Sequence, residues 1–184
     1  MAHGIITSRL ARLLQQELSQ HGYDVLYDHG QQGIDPRDKL GKIKAWYGSA
    51  YSSKAILADL DIAVVAQDST KVFVLVEIEE TTDKPKVILG DVLATLLGHR
   101  ITFQGKRNLQ VGEWTTLVVM AYSAHQSHRD RVFYLEEQAN QIRSRLSTPN
   151  AGIGRIVVDT FDVEPQLDHK LRAHIQQALQ GHIR

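Results

Sequence analysis

Apolar and polar residues recur along this chain with two periods, 3.6 and 2, and the switches between them mark out the elements. From Ile5 to Gln20, Leu10, Leu13 and Leu14 keep helical spacing, which predicts an amphipathic helix with Thr7 or Ser8 as its cap. Glu17 falls on the same stripe. His21-Gly22 closes the helix, and Tyr23 to Asp28 reads as a strand. Ile34 to Ser53 is irregular, with a short strand over Lys42 to Tyr47. Two β-branched runs follow, Ile62 to Ala66 and Val72 to Ile78, joined by Gln67-Asp68-Ser69-Thr70. They predict a β-hairpin, although the connector lacks an Asn-Gly signal. Thr81-Thr82-Asp83-Lys84-Pro85 then opens a helix whose Leu89, Val92, Leu93, Leu96 and Leu97 face one way, with Gly98 as its end. Ile101 to Glu113 reads as loop and Trp114 to Tyr122 as a buried strand. A helix over Asp130 to Leu146, a short strand over Gly154 to Asp159 and a helix opened by Pro165 complete the pattern.

The hairpin organises the rest. Phe73, Leu75, Glu77 and Glu79 alternate onto one face of its second strand, and Val72, Val74, Val76 and Ile78 onto the other. Both faces are apolar until the final residues, as in a central strand covered on both sides. Antiparallel pairing brings Asp61, at the start of the first strand, beside Glu77 and Glu79. Carboxylates at the end of a buried strand are costly unless paired, solvated or bound to a cation. Three of them this close repel one another, and without a cation at least one has a raised pKa.

Composition narrows the reading only slightly. At 184 residues, 42% hydrophobic and 23% charged, the chain has the size and balance of one globular domain, residues 1–184. No apolar run approaches a membrane span and the first residues lack a signal-peptide pattern, so the expectation is a cytoplasmic protein with no membrane partner. Zero cysteines leave His, Asp and Glu as metal ligands. The net charge is zero, so any case for nucleic acid must be local.

Such a local case exists. No acid occurs between Asp38 and Asp59, while Lys42, Lys44 and Lys54 are interleaved with Trp46, Tyr47 and Tyr51. Cations for phosphates and aromatics for bases suit a nucleic-acid-binding segment. A solvated basic hairpin with Trp46 in the core fits the same residues. Gly152-x-Gly154 precedes a strand and is no dinucleotide fingerprint. His125 and His128 lack a third ligand nearby and are assigned no metal role.

The acids carry a resemblance to a known family. An Asp opening one strand and an acidic triplet closing the next resemble the PD-(D/E)XK nuclease superfamily, with Leu60-Asp61 for its Pro-Asp and Glu77-Ile78-Glu79 for its (D/E)-x-K. Leucine replaces the motif proline, and glutamate replaces the lysine. The predicted element order over roughly residues 5 to 125 matches the family's αβββαβ core. The resemblance therefore implies an α/β, restriction-endonuclease-like fold: a mixed central sheet flanked by helices, with additional C-terminal helices and a short strand. It implies an Mg²⁺- or Mn²⁺-dependent endonuclease in which Asp61, Glu77 and the Ile78 carbonyl hold the metal and Glu79 orients or deprotonates water. Glu17 matches the acid that the family's first helix often adds, and Lys84 or Lys86 could supply the missing ammonium. Nucleic acid is the implied partner, DNA ahead of RNA, and a homodimer is an assembly open to it. Two other readings stand beside it. One is a nuclease-fold module that binds nucleic acid or protein without cleaving; the other is an α/β protein unrelated to nucleic acid.

Overall fold

The first helical stripe forms α1 (Ile5–Leu18), which buries Ile6, Leu10, Ala11, Leu14 and Leu18. A single 3₁₀ turn, Ser19–His21, follows, and Gly22 ends it in the left-handed conformation that glycine adopts without strain, at φ 81°. The computed structural model describes residues 5–28, 30, 39–48, 52–80, 84–105, 107–123 and 126–180, the side chains of 126–131 and 133 excepted. The strands that follow are β1 (Tyr23–Tyr27), β2 (Lys39–Leu40), β3 (Ile43–Trp46), β4 (Ile56–Leu60), β5 (Ile62–Ala66) and β6 (Val72–Glu79). Beyond them come α2 (Pro85–Leu97), β7 (Arg100–Phe103), β8 (Arg107–Leu109), β9 (Thr116–Tyr122), α3 (Gln126–Arg143), β10 (Arg155–Phe161) and α4 (Glu164–Leu179).

The fold is α/β with a mixed central sheet in the order β10-β9-β6-β5-β1-β2. β6, β9 and β10 run parallel, and β5 is antiparallel to both β6 and β1. One face of this sheet shares a core with α1 and α4, through Leu10, Leu14, Leu171 and Ile175. The other shares a core with α2 and α3, through Ile88, Val92, Leu135 and Ala139. Val74, Val76 and Ile78 belong to the first core and Leu75 to the second, so β6 is covered on both sides as its sequence predicts.

Three expectations need correcting. The residues expected to form a loop, Ile101 to Glu113, instead contain β7 and β8, and the unpredicted β4 pairs with β3. Together they make a second sheet in the order β4-β3-β7-β8. Strands of three to five residues hold too few alternations for a period to show. The reversal after β7 depends on Gln104 and Gly105, both at positive φ. Lastly, Phe73 does not share the face of Leu75. Val65 pairs with Val72 and Val64 with Val74, which leaves Phe73 as the extra residue of a bulge. Its ring turns to the α1 side and meets Tyr23 edge-on at 5.4 Å.

The hairpin turn works without Asn-Gly because Asp68 takes the left-handed conformation, at φ 54°, which aspartate tolerates better than most residues. The predicted caps of α2, Thr81 to Asp83, lie outside the described residues. Pro85 starts the helix and the Lys84 carbonyl accepts from Val87 N at 2.9 Å. Among the described residues no helix is long and apolar enough to cross a membrane.

Candidate functional site

Asp61 sits at the joint between the two sheets. Leu60 before it is fully buried and pairs with Ile43 in the small sheet, while Ile62 after it pairs with Tyr27 and Val76 in the large one. The chain bends at Asp61 to make that change, and its backbone and side chain tie three strand ends together. Asp61 N donates to Val76 O at 3.1 Å, and Asp61 O accepts from Asp28 N at 2.9 Å. The carboxylate Oδ2 accepts from Ile78 N at 2.8 Å. A buried carboxylate therefore replaces the carbonyl that β5 would have offered to β6 one step further on.

Around this joint the strand ends bring acids into one electrostatic neighbourhood. The Glu77 carboxyl is pushed well above the usual glutamate value, first by burial and then by the negative charges of Asp61, Asp91, Asp59 and Asp28. Asp91, on α2, is raised to about 6 by burial and by Glu79. Two lysines approach these acids. Lys42 lies 2.9 Å from the fully buried Asp28 carboxylate, and Lys44 lies 3.3 Å from the exposed Asp59. Asp61, Asp91, Asp59 and Asp28 thus all act on Glu77, and Glu79 acts on Asp91.

Asp91 was not anticipated, although Val87-Ile-Leu-Gly-Asp-Val-Leu does carry a hint. It is an acid inside an apolar helical run, turned toward β6 rather than away from it. Its raised pKa has a consequence for stability. Between about pH 4 and pH 6 the folded protein keeps a proton that the unfolded chain has released, so stability falls as pH rises through that window. Asp91→Asn is expected to remove Asp91's share of the fall. The group is half-buried and partly screened, so the gain above pH 6 should be about 1 kcal/mol. Melting temperatures of the two proteins across pH 4–8 check it, and parallel curves would contradict it.

The remaining candidate residues divide. Glu17 is exposed at the end of α1 and pairs with Arg172 of α4. It belongs to the α1–α4 side of the sheet and precedes the opposite end of β1 from Asp28, so it takes no part in the acidic cluster. Lys84 and Lys86 are exposed in the first turn of α2. Trp46 is 7% exposed, and its indole N–H donates to Thr102 Oγ1 at 2.8 Å while Arg100 stacks over its ring. A ring held this way has no free face for a base. Tyr47 is exposed, 62% accessible and edge-on to His99 at 5.2 Å. Lys54 is exposed in a short 3₁₀ turn, whereas Tyr51 and His125 lie outside the described residues, as does the side chain of His128.

Among the described residues no group of three or more His, Asp or Glu side chains is arranged to hold a metal ion. Compared with models of known protein families, with characterised proteins and with solved structures, the chain matches none.

Proposed function

We propose that this chain is a metal-dependent nuclease of the PD-(D/E)XK type. It hydrolyses phosphodiester bonds in nucleic acid, DNA ahead of RNA, where Asp61, Glu77 and Glu79 gather. The observation that carries this reading is the placement of Asp61: at the start of β5, hydrogen-bonded to the backbone between Glu77 and Glu79. Two further features support it. The strand order β1-β5-β6-β9, with α1 before β1 and α2 between β6 and β9, is compatible with the αβββαβ core of the resemblance once β2, β3, β4, β7 and β8 are set aside. The raised Glu77 marks a concentration of negative charge that a cation would relieve.

The donor set suits magnesium or manganese. Both are hard cations that take one or two protein carboxylates and complete their shell with water and substrate phosphate, so an all-protein cage is not required. Asp61 Oδ1 and the Glu77 carboxylate are the oxygens to hold it. Ile78 N faces Asp61, and because N–H and C=O of one strand residue point to the same side, its carbonyl is directed there too. A bound divalent ion supplies Lewis acidity toward the phosphate and makes water a better nucleophile. Glu79, two residues beyond Glu77 on the same strand, takes the proton from the attacking water. Lys84 and Lys86 offer positive charge to the phosphate in place of the motif lysine.

A binding module that keeps this fold without cleaving is the second reading. Glutamate at position 79 and the lack of a three-ligand group among the described residues favour it. One experiment separates the two: incubation with Mg²⁺ or Mn²⁺ and a panel of linear, single-stranded and branched DNA, and RNA. The nuclease reading predicts metal-dependent cleavage that ends with chelator. Nucleic-acid binding unaffected by metal, without cleavage of any substrate, would replace it with the second reading.

A further inference from the structure

The small sheet carries β4 on its outside, and among the described residues no strand pairs with the far side of β4. Ile56, Leu57 and Ala58 are half-buried and Asp59 is exposed, so the strand runs along the surface until Leu60 turns in. One end of this edge is the joint at Asp61. The other end is a pair of exposed rings.

Tyr47 follows β3, and its N–H donates to Ala55 O at 2.7 Å, just before β4 starts. Trp46 pairs with Arg100 across the sheet, which sets Tyr47 opposite His99. Their rings meet edge-on, 5.2 Å apart and at 87°. An edge-on contact covers at most one face of one ring. Tyr47 is 62% accessible and His99 is exposed as well, so a flat aromatic face is open to solvent here. The neighbouring Trp46 is the contrast, buried with Arg100 over its ring.

Positive charge follows the same edge. Lys54 is exposed in the 3₁₀ turn that leads into β4, and Lys44 reaches the edge at Asp59, 3.3 Å away. A duplex, with two charged backbones, calls for a broader basic surface than these two lysines provide. A bare aromatic face also takes only a base whose own face is uncovered, which paired and stacked bases lack. The span fits a single strand. Tyr47 lies four residues beyond Ile43, the partner of Leu60, which is about 13 Å of strand. Stacked nucleic acid covers that in about four nucleotides at about 3.4 Å each, and an extended strand in fewer.

We propose that the β4 edge is the track for single-stranded nucleic acid, with an unpaired base stacked on Tyr47 and the chain leading from there to Asp61. Lys54 and Lys44 meet the phosphates between. The inference rests on the nuclease reading, which makes Asp61 the place of cleavage, and adds to it the substrate class: a single strand or frayed end, not an intact duplex.

The test compares two fluorescent strands of equal length, oligothymidylate and the same backbone with no bases, by anisotropy with chelator present. Wild type should bind the base-less strand about 5- to 150-fold more weakly. Tyr47→Ala should bind oligothymidylate more weakly by a similar factor and no longer tell the two strands apart. Tyr47→Phe, which keeps the flat ring, should bind as wild type. Lys54→Ala should weaken both strands alike and reduce the salt slope by about 0.7. Wild-type protein that ignores the bases, or a Tyr47→Ala variant that still prefers them, would overturn the proposal. Should Tyr47→Ala not fold, Tyr47→Trp decides: its added fluorescence quenched by oligothymidylate and not by the base-less strand supports the stacking, and quenching by neither overturns it. Because chelator is present, the outcome is separate from cleavage. Base-dependent binding through Tyr47 without metal-dependent cleavage of any substrate would sink the nuclease reading and keep the stacking site. Metal-dependent cleavage of single strands, with binding that Tyr47→Ala leaves unchanged, would sink the track alone.

Discussion

Asp61→Asn is expected to abolish metal-dependent cleavage while leaving the fold nearly intact. The asparagine oxygen still accepts from Ile78 N, so the hydrogen bond that now spans 2.8 Å survives, while the charge that attracts a cation does not. Loss of a second-sphere residue alone costs a metal site about 10- to 100-fold, so losing a ligand should lower the rate at least about 100-fold. Asp61→Ala differs in kind. It leaves the Ile78 N–H without its partner at a buried joint, which costs about 1–3 kcal/mol, beside the same loss of activity. Comparing the two by thermal unfolding and by cleavage separates the structural work of this carboxylate from its chemistry. Equal stability in both variants would mean that the hydrogen bond contributes little. Cleavage retained in the asparagine variant would remove Asp61 from the site.

Glu77→Gln is expected to raise the stability of the metal-free protein, the opposite of what most buried substitutions do. Burial and the surrounding Asp61, Asp91, Asp59 and Asp28 all disfavour the Glu77 carboxylate. A glutamine amide carries no charge and offers two donors to those acids. The sign with pH follows from linkage. A glutamate whose folded pKa is raised gives up stability as pH climbs above its unfolded value, so the variant and wild type should match near pH 4 and diverge toward neutrality. Relieving a buried charge of this kind is worth on the order of 2 kcal/mol, or about 4–8 °C in melting temperature for a chain of this size. Added Mn²⁺ should reverse the order, stabilising wild type and leaving the glutamine variant unchanged. A variant less stable than wild type at pH 7.5 without metal would show that Glu77 is held by interactions other than those named.

Asp159 shows how the same fold treats a carboxylate with a structural task. Burial alone would raise it, yet hydrogen bonds from His174 and Lys170, and from Thr160 N, hold it at about 2. Its oxygens lie 2.8 Å from Lys170 Nζ and 2.9 Å from His174 Nε2. Glu77 is shifted the other way, with further acids as its neighbours. A fold that answers one half-buried acid with a lysine and a histidine and leaves another among four acids has distributed its charges unevenly. Uneven distributions of this kind accompany functional sites more often than purely structural ones.

The helices and the β5–β6 hairpin were legible because each has enough residues for its period to appear. α4 repeats Leu167, Leu171, Ile175 and Leu179 every fourth residue, and all four are buried. The small sheet was not legible. β4 runs into β5 across a single bend, so Ile56 to Ala66 reads as one long approach to a hairpin, and nothing local says that its first half pairs elsewhere. Trp46 could be read both ways for a related reason: lysines on either side mark an exposed segment, but one aromatic ring can still turn inward when Thr102 offers its N–H an acceptor. Asp61 and Glu77 could be placed side by side from alternation alone. Asp91 and Asp28 could not, because their approach depends on α2 and β1 packing against the hairpin, which no local pattern encodes. Glu17 failed for the same reason, since its stripe is shared with α4 and not with the acids.

Mn²⁺ binding followed by electron paramagnetic resonance tests the central claim most directly, on wild type and on the folded Asp61→Asn and Glu77→Gln variants at pH 7.5. The account predicts one saturable site in wild type, lost in both variants. Wild-type protein that leaves the free-ion signal undiminished, or variants that bind as wild type does, would contradict it.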